Sequence, residues 1–133
     1  MRTDGQGRPL TFALQPGHRH ESLVFESLIT AGQVRRPNGG RPRWRPHRVC
    51  ADKGYSSGRI RRWLRHHGIR VTIPRRRDER RRGPFDHQLY RQRARVEQFF
   101  NQLKQMRRVA TRYEKRAAND LAMVTIAAIR LWL

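Results

Sequence analysis

The chain has little cysteine, few aromatic residues and few acidic residues. Its 133 residues include one cysteine, so no disulfide can form within the chain. Aromatic residues make up 8% of the sequence and hydrophobic residues 36%, which predicts a small core. The longest apolar segment, residues 121–133, is shorter than the roughly 20 residues that a bilayer-spanning helix needs. We therefore expect neither a disulfide-stabilised scaffold nor a membrane partner.

The position of the single cysteine and the N-terminal sequence indicate the compartment. Cys50 lies in the apolar run of residues 49–51, where we expect a buried and unreactive thiol. The N-terminus, residues 1–4, reads MRTD and carries no apolar stretch typical of a signal peptide. These observations predict a cytoplasmic protein.

The charges are strongly unbalanced. The chain has 31 Lys and Arg residues against 10 Asp and Glu residues, which gives a formal net charge of +21. Such a charge opposes folding unless a polyanion neutralises it, and nucleic acid is the polyanion that we expect. Only Lys53, Lys104 and Lys115 are lysines. Codon bias toward arginine is therefore the alternative explanation of the excess.

Apolar periodicity and turn residues predict an α/β domain. The predicted elements are a hairpin at 1–14, helices at 22–31, 58–67, 87–108 and 117–133, and strands at 47–52 and 69–73. The strand–helix–strand order over 47–73 predicts a parallel pair.

Two basic segments are predicted to be loops. Residues 32–46 contain too many prolines and glycines for regular structure, and their alternating Arg and Trp residues could contact DNA by charge and stacking. A flexible basic loop without a fixed role is the alternative. Residues 74–86 include a run of charges that cannot enter a core, so we expect a disordered or DNA-contacting loop.

Four residues of the helix predicted at 87–108 form the most informative pattern, Y-x2-R-x3-E-x6-K. They are Tyr90, Arg93, Glu97 and Lys104. At about 100° per residue, their side chains fall within roughly 60° of one helix face. A phenol, a carboxylate and two cations are therefore predicted to meet at one site.

A second carboxylate, Asp52, ends the apolar run that contains Cys50. A carboxylate at a strand end facing Glu97 among cations suits a divalent metal that acts on a phosphodiester. The alternatives are that Asp52 caps a turn and that Glu97 is a solvated residue paired with Arg93. The histidines do not provide a zinc site, because no Cys or third ligand accompanies them at zinc spacing.

In these motifs the chain resembles bacterial insertion-sequence transposases of the DDE type that carry the Y-x2-R-x3-E-x6-K signature. Residues 51–55, ADKGY, resemble the segment with the second catalytic Asp, and residues 90–104 resemble the segment with the catalytic Glu. Residues 7–10 and 16–21 resemble the stretch between the first two catalytic acids of the family. Residues 113–116 and 121–133 resemble the C-terminal end of the family's sequences.

The resemblance implies a ribonuclease-H-like fold, a mixed sheet flanked by helices, and DNA transposition by phosphodiester cleavage and strand transfer. In that family three acidic residues bind two divalent ions, Mg²⁺ or Mn²⁺. Asp52 and Glu97 would then be the catalytic metal ligands. The expected contacts to the double-stranded DNA of the transposon ends come from Lys53, Tyr90, Arg93 and Lys104.

One departure from the family concerns its first catalytic Asp, which lies ahead of the Gly-x-Pro-Leu segment. Here that segment starts at Gly7, and Asp4 is the only acid that precedes it. Asp4 belongs to a turn-forming sequence, so we expect it to be a hairpin residue that faces water. The resemblance thus implies a partial, N-terminally truncated catalytic domain over residues 1–133 whose sheet lacks a central strand. A second reading frame normally fused by frameshifting is one explanation of the truncation, and a decayed or mis-started copy is the alternative. An N-terminal part from another reading frame and a second copy in a homodimer are the expected protein partners.

A chain that lacks one of three ligands should bind DNA, near the nucleoid, without cutting it. A non-catalytic basic nucleic-acid-binding protein is the main alternative. A host nuclease of the same fold is a weaker one, because it would need a complete acidic triad.

Overall fold

A computed structural model of the chain describes residues 1–16, 20–80, 83–111 and 116–132, apart from the side chain of Glu21. The described residues combine helices with short strands, which confirms a mixed α/β architecture. The strands are β1 (Arg2–Thr3), β2 (Pro9–Thr11), β3 (Arg48–Cys50) and β4 (Arg70–Thr72). The helices are α1 (Phe25–Ala31), α2 (Gly58–His66), α3 (His87–Arg91), α4 (Ala94–Gln105), α5 (Arg107–Ala110) and α6 (Ala117–Trp132), with 3₁₀ turns at Glu21–Val24 and Lys53–Tyr55.

The predicted N-terminal hairpin is confirmed as the antiparallel pair of β1 and β2. Asp4 shapes its turn, because its Oδ1 accepts hydrogen bonds from the backbone N–H groups of Gln6 and Arg8, each at 2.9 Å. Gly7 has a φ of +87°, a left-handed conformation that glycine adopts without a steric penalty.

The predicted parallel pair is also confirmed, with Val49 of β3 opposite Val71 of β4. The expectation of one mixed sheet is wrong for the described residues, whose strands form two separate two-stranded sheets. β1 and β2 are two and three residues long and their register is irregular. Such a short hairpin offers few regular backbone groups for pairing with a further strand.

Helix α2 joins the parallel strands and supplies the first core. Ser57 caps it, with Oγ accepting from the N–H of Ile60 at 3.2 Å. Ile60 and Leu64, one turn apart, are fully buried. The core that they share with α1, β3 and β4 consists of Phe25, Ile29, Val49, Ile60, Leu64, Ile69 and Ile73.

A second core lies between α4 and α6. Its buried residues are Phe99, Leu103, Ala127 and Ala128. Phe12, from the segment after β2, packs against it, with its ring centroid 6.4 Å from that of Phe99. The core therefore fixes the helix that carries the motif against the C-terminal helix and the hairpin.

The prediction of one continuous helix over 87–108 is wrong. Gln92, Arg93, Arg95 and Val96 each donate to the carbonyl three residues back, at 2.9–3.2 Å, so the chain winds as a 3₁₀ segment between α3 and α4. Met106 is extended, with a φ of −81° and a ψ of 107°, and separates α4 from α5. The 3₁₀ winding adds about 20° of rotation at each of these four residues, so Tyr90 and Glu97 point roughly 60° apart, where a regular α-helix would place them roughly 20° apart.

The predicted C-terminal helix is confirmed as α6. Its small residues Ala127 and Ala128 are buried, whereas Ile126 and Ile129 are more than half exposed. The described residues therefore leave part of the apolar surface of α6 open to solvent. None of the described helices combines the length and the apolar content that crossing a bilayer requires.

Candidate divalent-cation site

Asp52 lies two residues after the end of β3, whereas the sequence placed it as the last residue of that strand. Its Oδ1 accepts a hydrogen bond from the N–H of Gly54 at 2.8 Å, which caps the 3₁₀ turn Lys53–Tyr55. This hydrogen bond is the capping role that the sequence left open. The second carboxylate oxygen, Oδ2, points to the guanidinium of Arg93, whose Nη2 lies 3.8 Å away. The turn thus orients the carboxylate toward the motif helix.

Glu97 lies in the first turn of α4 and contacts the same guanidinium. Arg93 Nη1 donates to Glu97 Oε1 at 2.7 Å. The side chain of Arg93 is 22% exposed, and those of Asp52 and Glu97 are 41% and 61% exposed. The two carboxylates are therefore separated by no more than one guanidinium group and its two contacts, and both remain open to solvent.

These residues line a cleft of about 290 Å³, which we call the carboxylate cleft. Its apolar wall comes mainly from α1 and α4, and it includes Ile29, Val96 and Phe100. Cys50 also lines it. Burial, the largest effect, raises the pKa of the Cys50 thiol above its usual value, and the positive charges of Arg93 and Arg48 act in the opposite direction. The thiol is expected to stay protonated at neutral pH.

The other predicted DNA contacts are spread around this cleft. Tyr90, at the end of α3, has its ring centroid 6.0 Å from the Arg93 guanidinium carbon and 5.3 Å from the ring of Phe85. Lys104 is exposed in the last turn of α4, about 10 Å along the axis from Glu97 on the same face. Lys53 is exposed in the turn after Asp52. The structure brings Asp52, Arg93 and Glu97 together, with Tyr90 beside Arg93.

Comparison with known proteins gives the family. The sequence profile described as "Transposase DDE domain" matches residues 1–132. The chain belongs to the transposase DDE domain family. It is 37% identical over 115 residues to a protein of Burkholderia cepacia named as a candidate transposase for insertion sequence element IS402, and the match covers 86% of this chain and 52% of that protein.

A second relative comes from Brucella ovis and is named as a candidate transposase for insertion sequence element IS6501. It is 27% identical over 132 residues, which are 98% of this chain and 92% of that protein. The chain thus spans about half the length of the first relative and most of the second. No solved structure matches the chain.

The donor set fits one hydrated divalent ion of the kind that DDE transposases generally use. Asp52 and Glu97 both present oxygens toward a positive charge, and Mg²⁺ is commonly held by one or two carboxylates together with water and substrate phosphate. Among the described residues, no group of three or more His, Cys, Asp or Glu residues could hold a metal. The arrangement does not fit two ions bridged by three acids.

Asp4 has the structural role expected for it. Its Oδ2 lies 2.7 Å from Arg8 Nε, in addition to the two backbone hydrogen bonds of the turn. Partial burial acts to raise the pKa of Asp4, but the hydrogen bonds from Arg8 and Gln6 outweigh it and lower that pKa below its usual value. These bonds leave Asp4 committed to the hairpin.

Sequence reasoning missed a positioning network behind Asp52. Ser56, which is 2% exposed, donates to Glu79 Oε1 at 2.7 Å and accepts from Arg61 Nη2 at 2.8 Å. Arg61 Nε lies 3.4 Å from Glu79 Oε2. Glu79, which belongs to the charge run predicted to form a disordered or DNA-contacting loop, therefore faces inward. The only signal in the sequence was an acid among arginines.

Residues 32–46 form no helix and only one isolated β-bridge, and the tryptophan of this segment is used for packing. The ring centroid of Trp44 lies 6.2 Å from that of Trp63 and 5.4 Å from that of His67, both on or next to α2. The predicted stacking of this tryptophan on DNA competes with those contacts, whereas the arginines of the loop stay exposed.

Residues 17–19, 81–82 and 112–115, which include parts of the family-like segments, lie outside the described residues.

Proposed function

We propose that the chain is a DNA-binding part of a DDE transposase catalytic domain in which Asp52 and Glu97 hold a divalent cation. The observation that carries this proposal is the contact of both carboxylates with the single guanidinium of Arg93. Residues from a strand end and from a separate helix converge there on one positive charge. Surface stability is a weak reason for this convergence, because an exposed ion pair contributes at most about 1 kcal/mol.

Each of the predicted site residues would have its own role in phosphodiester chemistry. A bound Mg²⁺ or Mn²⁺ would polarise the phosphate and lower the pKa of a water molecule or of a DNA 3′-hydroxyl. Asp52, held by the N–H of Gly54, and Glu97 would supply its protein ligands. Arg93 would turn to a phosphate oxygen when the cation takes its place between the carboxylates. Tyr90 and Lys104 would contact the strand on either side, and Lys53 would contact it next to Asp52.

We further propose that this chain alone binds DNA without cutting it efficiently. The family mechanism uses three acids and two ions, and Asp4 is committed to the hairpin by Arg8 and Gln6. Two half-exposed carboxylates cannot readily neutralise two divalent ions about 4 Å apart. These observations favour the reading in which the chain depends on another protein segment for a complete site.

The fold, domain and partners are proposed on the same basis. Residues 1–133 are proposed to form part of a ribonuclease-H-like catalytic domain. The parallel pair β3–β4 with its crossover helix α2 is compatible with one half of that fold. The proposed partners are double-stranded DNA of the transposon ends, an N-terminal transposase part and a second copy of the chain. The exposed Ile126 and Ile129 of α6 are the apolar surface that a protein partner could cover. Such a protein would act in the cytoplasm, at the nucleoid.

Direct measurement of cation binding tests the site. Wild-type protein should bind Mn²⁺, followed by electron paramagnetic resonance, and Glu97→Gln and Asp52→Asn should each weaken binding about tenfold or more. Asp78→Asn is the matched control, because Asp78 is exposed and forms no ion pair with the described residues. Equal affinity in Glu97→Gln and in the control would overturn the proposed ligands.

A nuclease assay tests the predicted lack of cleavage. Supercoiled plasmid is incubated with purified protein in Mg²⁺ or Mn²⁺, beside the Glu97→Gln variant. We expect both proteins to shift the plasmid on a gel and neither to nick it. Robust nicking by the wild type that Glu97→Gln abolishes would show a complete catalytic site and contradict the two-ligand proposal.

A further inference from the structure

A second cleft, of about 490 Å³, lies beside the carboxylate cleft and is lined by six arginines and one acid. We call it the arginine cleft. The acid is Asp4, and the arginines come from β1, the 32–46 loop, β3 and the start of α4: Arg2, Arg43, Arg45, Arg48, Arg93 and Arg95. Six like charges in one cleft repel each other, so their positions must be fixed by other contacts.

Neutral carbonyl groups, rather than carboxylates, hold four of these arginines. Arg45 Nη1 donates to the carbonyl of His67 at 3.3 Å, and Arg43 Nε donates to the carbonyl of Arg45 at 3.2 Å. Arg95 Nη1 donates to the carbonyl of Gly5 at 2.5 Å, and Arg2 donates to the carbonyl of Ile29. A guanidinium held this way keeps its full charge and has further N–H groups free for an anion.

Nearby acids leave this charge largely uncompensated. Asp4 pairs with Arg8, which does not line the cleft. Arg48 lies 3.5 Å from Asp86, and Arg93 is paired in the carboxylate cleft. Arg2, Arg43, Arg45 and Arg95 form no ion pair with any residue in the described ranges.

The loop that supplies Arg43 and Arg45 is fixed at its base. Val34 and Arg43 exchange both backbone hydrogen bonds, at 2.9 and 2.8 Å, which closes the loop. Trp44, between the two arginines, packs against Trp63 of α2. The packing of this tryptophan therefore anchors the backbone from which the two flanking arginine side chains extend.

The arginine cleft and the carboxylate cleft share part of their walls. Arg48, Cys50, Arg93 and Val96 line both. A strand lying along the arginines would therefore reach the carboxylates at Arg93.

We propose that the arginine cleft is a binding site for the phosphodiester backbone of DNA and leads the strand to Asp52 and Glu97. The part of this proposal that directs the strand to Asp52 and Glu97 rests on the proposed function, whereas the part that places DNA in the cleft does not. Guanidinium groups fixed in position suit phosphate oxygens, with which they form paired, charge-assisted hydrogen bonds. Recognition through the backbone predicts little sequence preference and a strong dependence on salt.

The test compares two variants that each lose two positive charges. Arg43→Ser with Arg45→Ser removes charge from the cleft, and Arg76→Ser with Arg77→Ser removes it from two exposed residues of the 74–86 loop that lie outside the cleft. Affinity for a fluorescein-labelled 20-base-pair duplex is measured by anisotropy over a range of KCl concentrations. Far-UV circular dichroism and thermal unfolding confirm that both variants are folded.

We expect the cleft variant to bind about 10- to 100-fold more weakly at 0.1 M salt, with the slope of log K against log salt reduced by about 1.8. The loop variant should change both quantities much less. A single strand of the same length should give a slope change of about 1.4 if it, rather than duplex, occupies the cleft. Restoring charge with Arg43→Lys and Arg45→Lys should recover most of the lost slope.

Equal losses in the cleft and loop variants would overturn the proposal, because binding would then follow net charge alone. This outcome differs from failure of the proposed function, which the Mn²⁺ measurement reports separately. A wild-type protein that binds no Mn²⁺, but whose cleft variant loses DNA affinity, would retain the DNA site and lose the proposed cation site.

Discussion

Arg93 reaches Asp52 across the gap between the N-terminus of α4 and the end of β3, with Nη2 3.8 Å from Oδ2. The same guanidinium donates to Glu97 one turn along the helix. A positive side chain therefore stands between the two carboxylates that we propose as cation ligands. Its charge holds the carboxylates close in the absence of an ion, and it opposes a divalent cation that enters the same space.

We predict that Arg93→Gln binds Mn²⁺ roughly 30-fold more tightly than the wild type does. The physical reason is that a divalent cation and a unit positive charge about 4 Å apart in a solvated site repel each other by roughly 2 kcal/mol, which the substitution removes. Mn²⁺ affinity is measured by electron paramagnetic resonance. The same variant should bind DNA more weakly, because a cation beside the proposed strand path is lost.

Arg93→Lys is the control for that prediction, since it keeps the charge without the fork of a guanidinium. We expect Mn²⁺ affinity close to that of the wild type in Arg93→Lys. If Arg93→Gln instead binds Mn²⁺ no better than Arg93→Lys does, the guanidinium only orients the carboxylates and does not compete with the ion.

Asp4 is predicted to make stability depend on acid pH. Hydrogen bonds lower its pKa in the folded chain below the value of about 3.9 expected in the unfolded chain. Its charge therefore stabilises the fold above about pH 4, and this contribution is lost as the pH falls through the lower folded pKa. Thermal unfolding of wild type and Asp4→Asn should differ at pH 6, and the difference should shrink as the pH falls below about 4. A difference that persists unchanged at low pH would show that the charge of Asp4 is not responsible.

Glu79 is predicted to stabilise the turn that carries Asp52. Glu79→Gln removes the charge that faces Arg61, whose side chain is 15% exposed, and weakens the bond from Ser56. A partly buried guanidinium without its partner costs about 1–3 kcal/mol. We expect a lower free energy of unfolding in urea and weaker Mn²⁺ binding through displacement of Asp52. Glu26→Gln, which breaks the more exposed pair with Arg59, is the control and should affect stability less and Mn²⁺ binding not at all.

The elements that sequence predicted well have strong local signals. Asp4 and Gly7 specify the hairpin turn, and the β-branched residues on both sides of α2 specify the parallel pair. The carboxylate site could also be anticipated, because a strand end and a helical position each fix one carboxylate. The spacing of four residues predicts the contact of Arg93 with Glu97, whereas the second contact of Arg93, with Asp52, depends on the tertiary fold.

The breaks in the motif helix could not be predicted, because residues 91–94 contain no glycine or proline and each is compatible with a helix. The 3₁₀ winding there depends on tertiary packing, with α3 beside β3 through Arg48 and Asp86 and α4 against the second core. The arginine cleft was hidden for a related reason. Its arginines come from distant segments, and in a chain with 31 basic residues no single arginine stands out in the sequence.

The two separate cores lead to a prediction about stability. Leu64 is fully buried in the first core and Leu103 is 3% exposed in the second. Substitution of either by alanine removes buried methyl groups and leaves a cavity, which costs about 2–5 kcal/mol. Leu23→Ala is the matched control, because Leu23 is 63% exposed, and it should change stability by less than about 0.5 kcal/mol. Urea unfolding followed by circular dichroism measures all three variants. A loss in Leu103→Ala as small as that of the control would show that α4 and α6 do not pack as a core, and the positions of Arg93 and Glu97 would then lack their structural support.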